Sequence, residues 1–198
     1  ARTELGRRDE PPTHLHVVGT PLSVGADLAA GLARLRARDA RCTVDVQVAD
    51  AEEALRRVAD GSADAALLDG VTTPNAPLHA AEPGVLTRHL VHAEPLVVLL
   101  PRSHPLAGAP DVSLAAVHDA LWVDAPRLRC DPSAVPGVNA VPPTSRVRYD
   151  GTDVAAVLQL VGHGHGLALL PSGLVPPHPD VARVRLRDPV VHRVELLT

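Results

Sequence analysis

Apolar residues fall in short runs divided by glycine, proline and charged positions, and the period of each run predicts an element. Residues 14–19 are an apolar stretch that reads as a strand, Thr20-Pro21-Leu22-Ser23 as a turn, and Leu28, Leu32 and Leu35 recur at helical spacing. Val44, Val46 and Val48 alternate with polar residues, the pattern of a strand over 43–48. Residues 51–60 return to helix, with Glu52/Arg56 and Glu53/Arg57 one turn apart and Gly61 at the stop. A third strand is expected over 63–68, closed by Asp69-Gly70. Strands alternating with helices predict a parallel sheet in an α/β layer.

Residues 71–86 hold Pro74, Pro77, Pro83 and Gly84 without periodicity and read as a loop. A continuous apolar strand over 96–100, ended by Pro101, opens a second unit. Val112-Ser113-Leu114 resembles a cap before a short helix, 120–123 a strand, and the proline-rich stretch 127–145 irregular chain. Asp150 or Thr152 is expected to cap a helix whose apolar face is Val154, Val157, Leu158 and Val161. Glycines at 162–166 break it. Strands follow at 167–170, stopped by Pro171, and at 181–186 and 191–197.

Composition narrows the chemistry. The 198 residues are 45% hydrophobic and 21% charged, and no apolar run approaches the ~20 residues of a membrane-spanning helix. Lys, Ile, Phe and Met are absent, so Arg supplies all 19 cationic charges. Without an amine there is no Schiff base, no pyridoxal-phosphate anchor and no P-loop lysine. A net charge of −4 offers no global basic footprint for nucleic acid. Cys42 and Cys130 make neither a metal-ligand spacing nor a disulfide framework, which fits a reducing cytoplasm.

The motifs weigh little singly. Gly162-His163-Gly164-His165-Gly166 has the wrong spacing, and the wrong helix-to-strand order, for a dinucleotide loop. His163/His165 and His14/His16 share an x-spaced pattern, but no acidic or sulfur ligand is close in sequence, so no metal and no cofactor are expected. Neither G-x-S-x-G nor H-E-x-x-H occurs, and paired aspartates such as Asp150 and Asp153 read as caps, so no catalytic residue is assigned. The hydroxyls of Thr20-Pro21-Leu22-Ser23 lie at a strand-to-helix turn beside free backbone N–H groups. That place suits either a carboxylate ligand or a plain N-cap.

Taken together and in order, several segments resemble the effector-binding domain of LysR-type transcriptional regulators. LHVVGTPLSVGADLAAGLARLRAR is similar to the family's opening strand and helix, and DAEEALRRVADGSADAALLDG to its second helix and following strand. EPLVVLLPRSHPLAG resembles its crossing strand and His-Pro-Leu turn. DVAAVLQLVGHGHGLALLP is similar to its later helix, Gly-x-Gly and Leu-Leu-Pro ending.

The resemblance implies an α/β, periplasmic-binding-protein-like fold. Two Rossmann-like subdomains (14–95 plus 172–198, and 96–171, after a linker end at 1–13) are joined by crossing segments near 94–97 and 170–174. A small-molecule effector, an organic acid being one candidate class, would lie in the cleft between them. The lining it implies is Thr20, Pro21, Leu22 and Ser23; Leu68 and Asp69; Leu100, Pro101 and Arg102; Ala125, Pro126 and Arg127; Gly151 and Thr152; and Gly166. Arg102, Arg127 or Arg129 could pair with an acidic effector. The resemblance also implies a homodimer or homotetramer, helix 26–38 of one copy packing on helix 153–161 of another. DNA contact would fall to a helix-turn-helix outside these residues, and the chain would not be an enzyme. A two-lobed solute-binding protein serving a transporter is the alternative, and a small hydrolase a weaker one.

Overall fold

The computed structural model describes residues 14–79, 86–117, 119–130, 132–135 and 144–198. The expected linker end at 1–13, the centre of the 71–86 loop and most of the proline-rich stretch at 131–143 lie outside them.

The first half is a β-α-β-α-β run: β1 (His14–Gly19), α1 (Ala26–Arg38), β2 (Thr43–Val48), α2 (Ala51–Ala59) and β3 (Ala65–Thr72). Asp50 caps α2 by accepting the Glu53 N–H at 2.8 Å, and Gly61 leaves the helix with φ +75°. β1 pairs in parallel with both β2 and β3, as alternating strands and helices predict. β3 begins later than expected and does not close at Asp69-Gly70. It runs on to Thr72 because β10 (Val191–Leu197) lies antiparallel along its whole length.

The sheet is therefore mixed rather than parallel. Its order runs β2-β1-β3-β10, then β4 (Arg88–Pro101), β9 (Val181–Leu186) and β5 (Asp111–Val112), with β8 (Ala168–Pro171) also on β4. β4 is longer than the apolar run that announces it, since its first half is only partly buried and carries polar side chains. It pairs with β10 up to Pro95, then changes partners at Leu96 to β8 and at Val97 to β9. The polypeptide thus passes between halves around Pro95. It returns through 187–190, after β9 has paired with residues 97–101.

The second half adds β5 and a parallel pair, β6 (Trp122–Asp124) with β7 (Ser145–Arg148). The expected short helix at 114 is a single 3-10 turn, Leu114–Val117. α3 (Val154–Gly162) buries Val157, Leu158 and Val161 as its spacing requires. Its cap is Asp153, which accepts the Ala155 N–H at 2.8 Å, and not Asp150 or Thr152. Asp150 instead pairs with Arg127, and Gly151 sits under the Tyr149 ring.

One large core cluster gathers Trp122, α3, β8 and the second half of β4, and it takes in Leu22 from the first half. A smaller cluster, with Ala54, Leu55, Leu68 and Leu197, lies under α2. α1 buries no residue.

Candidate functional site

Thr20 directly follows β1 and is fully buried. Its backbone N–H donates to Leu67 O at 2.9 Å, and its Oγ1 accepts the Asp69 N–H at 2.8 Å. The Ser23 hydroxyl lies 2.8 Å from Thr20 O and 2.9 Å from Leu67 O. Both hydroxyls are spent on fastening the turn to β3. Neither caps α1, whose N-cap is Gly25 with no side-chain bond, and this replaces the N-cap expectation. A Cβ on Gly19 would stand 2.5 Å from Val24 Cγ2, so only glycine lets the turn fold back this closely.

Alternation along β3 sends Leu68 into the α2 cluster and Asp69 to the opposite face. There His192 of β10 places Nε2 3.1 Å from Asp69 Oδ2, with both side chains 1% exposed. Among the described residues, Asp69 Oδ1 and His192 Nδ1 have no hydrogen-bond partner. Two orphaned polar atoms in one buried pair carry a desolvation penalty of about 1–3 kcal/mol each.

The register pairs His192 with Val71 on one side and Glu94 on the other. Val71 packs against the large core of the second half, and Glu94 accepts from Ser172 Oγ at 3.1 Å and from the Gly173 N–H. The Asp69–His192 pair therefore sits where the first half meets the crossing strand and the segment after Pro171.

The lining expected of the second half lies at the C-terminal ends of β6 and β7. Ala125 and Pro126 follow β6, while Gly151 and Thr152 follow β7. The two loops are tied by the Tyr149 N–H to Asp124 O at 2.7 Å and by Arg127 Nε to Asp150 Oδ1 at 3.3 Å. Behind them is an apolar crevice of about 10 Å³ between Ala125, Leu128, Cys130, Val157 and Leu170.

Besides Leu68, four expected lining residues lie away from Asp69 and His192. β4 runs antiparallel to β8, pairing Leu96 with Pro171 and Leu99 with Ala168, so Leu100, Pro101 and Arg102 are carried to the far end of the second half. Gly166 is there too, at the start of β8, where a Cβ would be 2.7 Å from the Trp122 carbonyl carbon. Arg102 is committed to carbonyls: its Nε donates to Pro179 O at 2.5 Å and its Nη2 to His178 O at 3.4 Å. It forms one wall of a groove of about 300 Å³ with Pro176, Pro177 and His178. His192 is the residue that sequence reasoning missed. It is 123 positions from Asp69 and sits in an unremarkable strand, so only the antiparallel pairing reveals it.

This architecture is a mixed α/β, periplasmic-binding-protein-like one. Residues 8–197 match the LysR substrate binding domain, and the chain belongs to that family. Over 96 residues, 48% of the chain, it is 40% identical to the small neutral protease regulatory protein of Streptomyces coelicolor. It matches the protein of the same name in Streptomyces lividans at the same identity, and the matches span 28% and 27% of those two proteins.

Among solved structures it is similar to the BenM effector binding domain with its effector benzoate. The TM-score is 0.71 at 17% identity, over 93% of this chain and 82% of that one. It is also similar to the oxidized form of OxyR (TM-score 0.69, 19% identity, 93% and 84% covered). HinK, a LysR family transcriptional regulator from Pseudomonas aeruginosa, gives a TM-score of 0.66 at 20% identity, with 93% and 62% covered. At these identities the likeness is one of fold. No helix among the described residues is long and apolar enough to cross a membrane.

Proposed function

We propose that this chain is the effector-sensing part of a LysR-type transcriptional regulator. A small organic molecule binds between the two halves and biases how they, or neighbouring copies, are arranged, and an attached DNA-binding domain reads that bias. A ligand does this only through its differential affinity for the two arrangements. Family membership supports the class, and the pair Asp69–His192, buried with one free polar atom on each partner, carries the location. We read the part as a binder: the Thr20 hydroxyl beside Asp69 is held by the Asp69 N–H and by Leu67 O.

The lining we assign is Thr20, Leu22, Ser23, Asp69 and His192 on one side and Ala125, Pro126, Gly151 and Thr152 on the other. Of the expected lining it omits Pro21, Leu68, Leu100, Pro101, Arg102, Arg127 and Gly166. The geometry also revises the ligand class. The Thr20 and Ser23 hydroxyls are spent, Arg127 is paired with Asp150, and a buried carboxylate would repel an organic acid. A hydroxyl-bearing neutral molecule fits better, because one hydroxyl can donate to Asp69 Oδ1 and a neighbouring group can satisfy His192 Nδ1.

A thermal-shift screen of organic acids, sugars, polyols and amino acids tests this reading, since a ligand that binds only the folded state raises Tm by mass action. A shift from a hydroxyl-bearing neutral compound that disappears in Asp69→Asn supports it. A shift from acids that survives Asp69→Asn and His192→Ala overturns the assigned site.

A further inference from the structure

At the outer edge of the sheet, β1 and β2 pair with His14 opposite Thr43 and His16 opposite Asp45. Positions i and i+2 of a strand share a face, so these four side chains form one cross-strand square. His14 Nε2 is 3.1 Å from Asp45 Oδ2, and His16 Nδ1 is 3.8 Å from the same oxygen. One ligand atom from each of the three residues can be chosen so that all lie within 4.8 Å of one another. Among the described residues this is the one such group of three His, Cys, Asp or Glu side chains. The acidic member that the His14-x-His16 pattern lacks in sequence arrives from β2 through the parallel register.

Two further features point the same way. His14 Nδ1 lies 2.6 Å from Thr43 Oγ1, which leaves Nε2 turned to Asp45; a polar partner on the second ring nitrogen is how proteins orient a metal-binding imidazole. The side chains of His14, His16 and Asp45 are 41%, 49% and 58% exposed, open to an ion from solvent. At that exposure an ion pair by itself contributes little to stability.

We propose that His14 Nε2, His16 Nδ1 and Asp45 Oδ2 form a binding site for a divalent transition-metal ion of the Zn²⁺ type. Two imidazoles and one carboxylate suit Zn²⁺, Cu²⁺ or Ni²⁺, whereas Mg²⁺ and Ca²⁺ call for oxygen donors throughout. Three protein ligands leave a coordination position open to solvent, unlike the closed four-ligand set of a structural zinc. The site is at the start of β1 and the Thr20 turn is at its end, so the two sites stand or fall separately.

The experiment is a titration of the metal-stripped chain with Zn²⁺ against a chromophoric chelator, with Mg²⁺ as the hard-cation control. One saturable Zn²⁺ site is expected. His14→Ala, His16→Ala and Asp45→Asn should each weaken it by about tenfold or more, Thr43→Val by a smaller factor, and His163→Ala not at all. Zn²⁺ should raise the Tm of the parent and not of the His14→Ala/His16→Ala double variant. Circular dichroism verifies that each variant is folded, and glutamine at either histidine gives a second set. Absence of saturable binding below millimolar Zn²⁺, or a folded double variant that binds as the parent does, overturns the proposal.

Discussion

Asp69 and His192 meet at 3.1 Å in the interior, 123 residues apart, each with one polar atom that nothing among the described residues satisfies. Truncating one partner leaves the other buried and alone, so Asp69→Ala should cost about 1–3 kcal/mol. Replacing both by leucine should be near neutral or stabilising, because no buried polar group then remains unpaired. Urea denaturation of the two variants measures this. A double variant that is at least as stable as the parent yet unresponsive to effector would show that the pair is kept for binding.

Glu195 is the other buried acid, on the opposite face of β10. Arg88 Nη1 is 2.8 Å from its Oε2 and Arg193 Nε 2.5 Å from its Oε1. The carboxylate is 1% exposed, and Arg88 also donates to Leu78 O at 2.7 Å. Removing the shared acid strands two partly buried guanidiniums, so Glu195→Ala should destabilise by about 3–5 kcal/mol. Glu195→Gln, which keeps the shape and an acceptor oxygen, should cost less. Chemical denaturation midpoints at neutral pH decide the order.

Much of this architecture is legible from the sequence because local periodicity and capping chemistry act within one element. β2, β9, β10 and the buried face of α3 follow directly from alternation or i, i+3, i+4 spacing. What escapes is long-range pairing. The Asp69-Gly70 pair reads as a turn, yet β10 draws both residues into a ladder. The site was half legible for the same reason. Thr20 is marked by its place at a strand-to-helix turn and Asp69 only by the family resemblance, while the direction of β4 against β8, which carries Leu100, Pro101 and Arg102 away, is a property of the sheet and not of any segment.

Gly166 illustrates a residue whose importance is conformational. Its φ is +151°, and an added Cβ would press on the backbone of Trp122 and Val123 at 2.7 and 2.9 Å. The dihedral alone should cost Gly166→Ala about 1–3 kcal/mol, and the clash with a strand backbone that cannot swing aside adds to it. Gly164→Ala, with φ +79° and nothing within 4 Å, should show the dihedral part only. Gly166→Ala should therefore lower the Tm more than Gly164→Ala, and thermal denaturation of the two variants checks the order.

On α2, Glu53 bonds both Arg56 and Arg57, and those guanidiniums hold its pKa down to about 2 from 4.5. A carboxylate with a depressed folded-state pKa contributes stability that is fully present above the unfolded value. That contribution fades as pH falls from about 4.5 through about 2. Asp60 is shifted downward too, chiefly by Ser62, and acts in the same direction. Glu53→Gln should flatten the acid limb of a Tm-against-pH curve in that window and leave the slope above it unchanged. Because the group is exposed, salt should shrink the difference between variant and parent.

α1 has no buried residue, and Leu28, Leu32 and Leu35 form one half-buried stripe along it, of which Leu28 packs against the cluster of Val17, Leu67 and Val194. If α1 packs on α3 of a second copy, Leu32 lies in that contact, and a charge there would be desolvated without a partner. Truncation at the centre of an interface commonly costs about 2–4 kcal/mol, so Leu32→Arg should raise the dimer dissociation constant roughly 30- to 700-fold. Ala33→Arg, about 100° round the same helix, should leave it within a few-fold and controls for charge alone. Sedimentation equilibrium of the three proteins decides between them. Identical masses across a wide concentration range would place the self-contact, if the chain makes one, on another face.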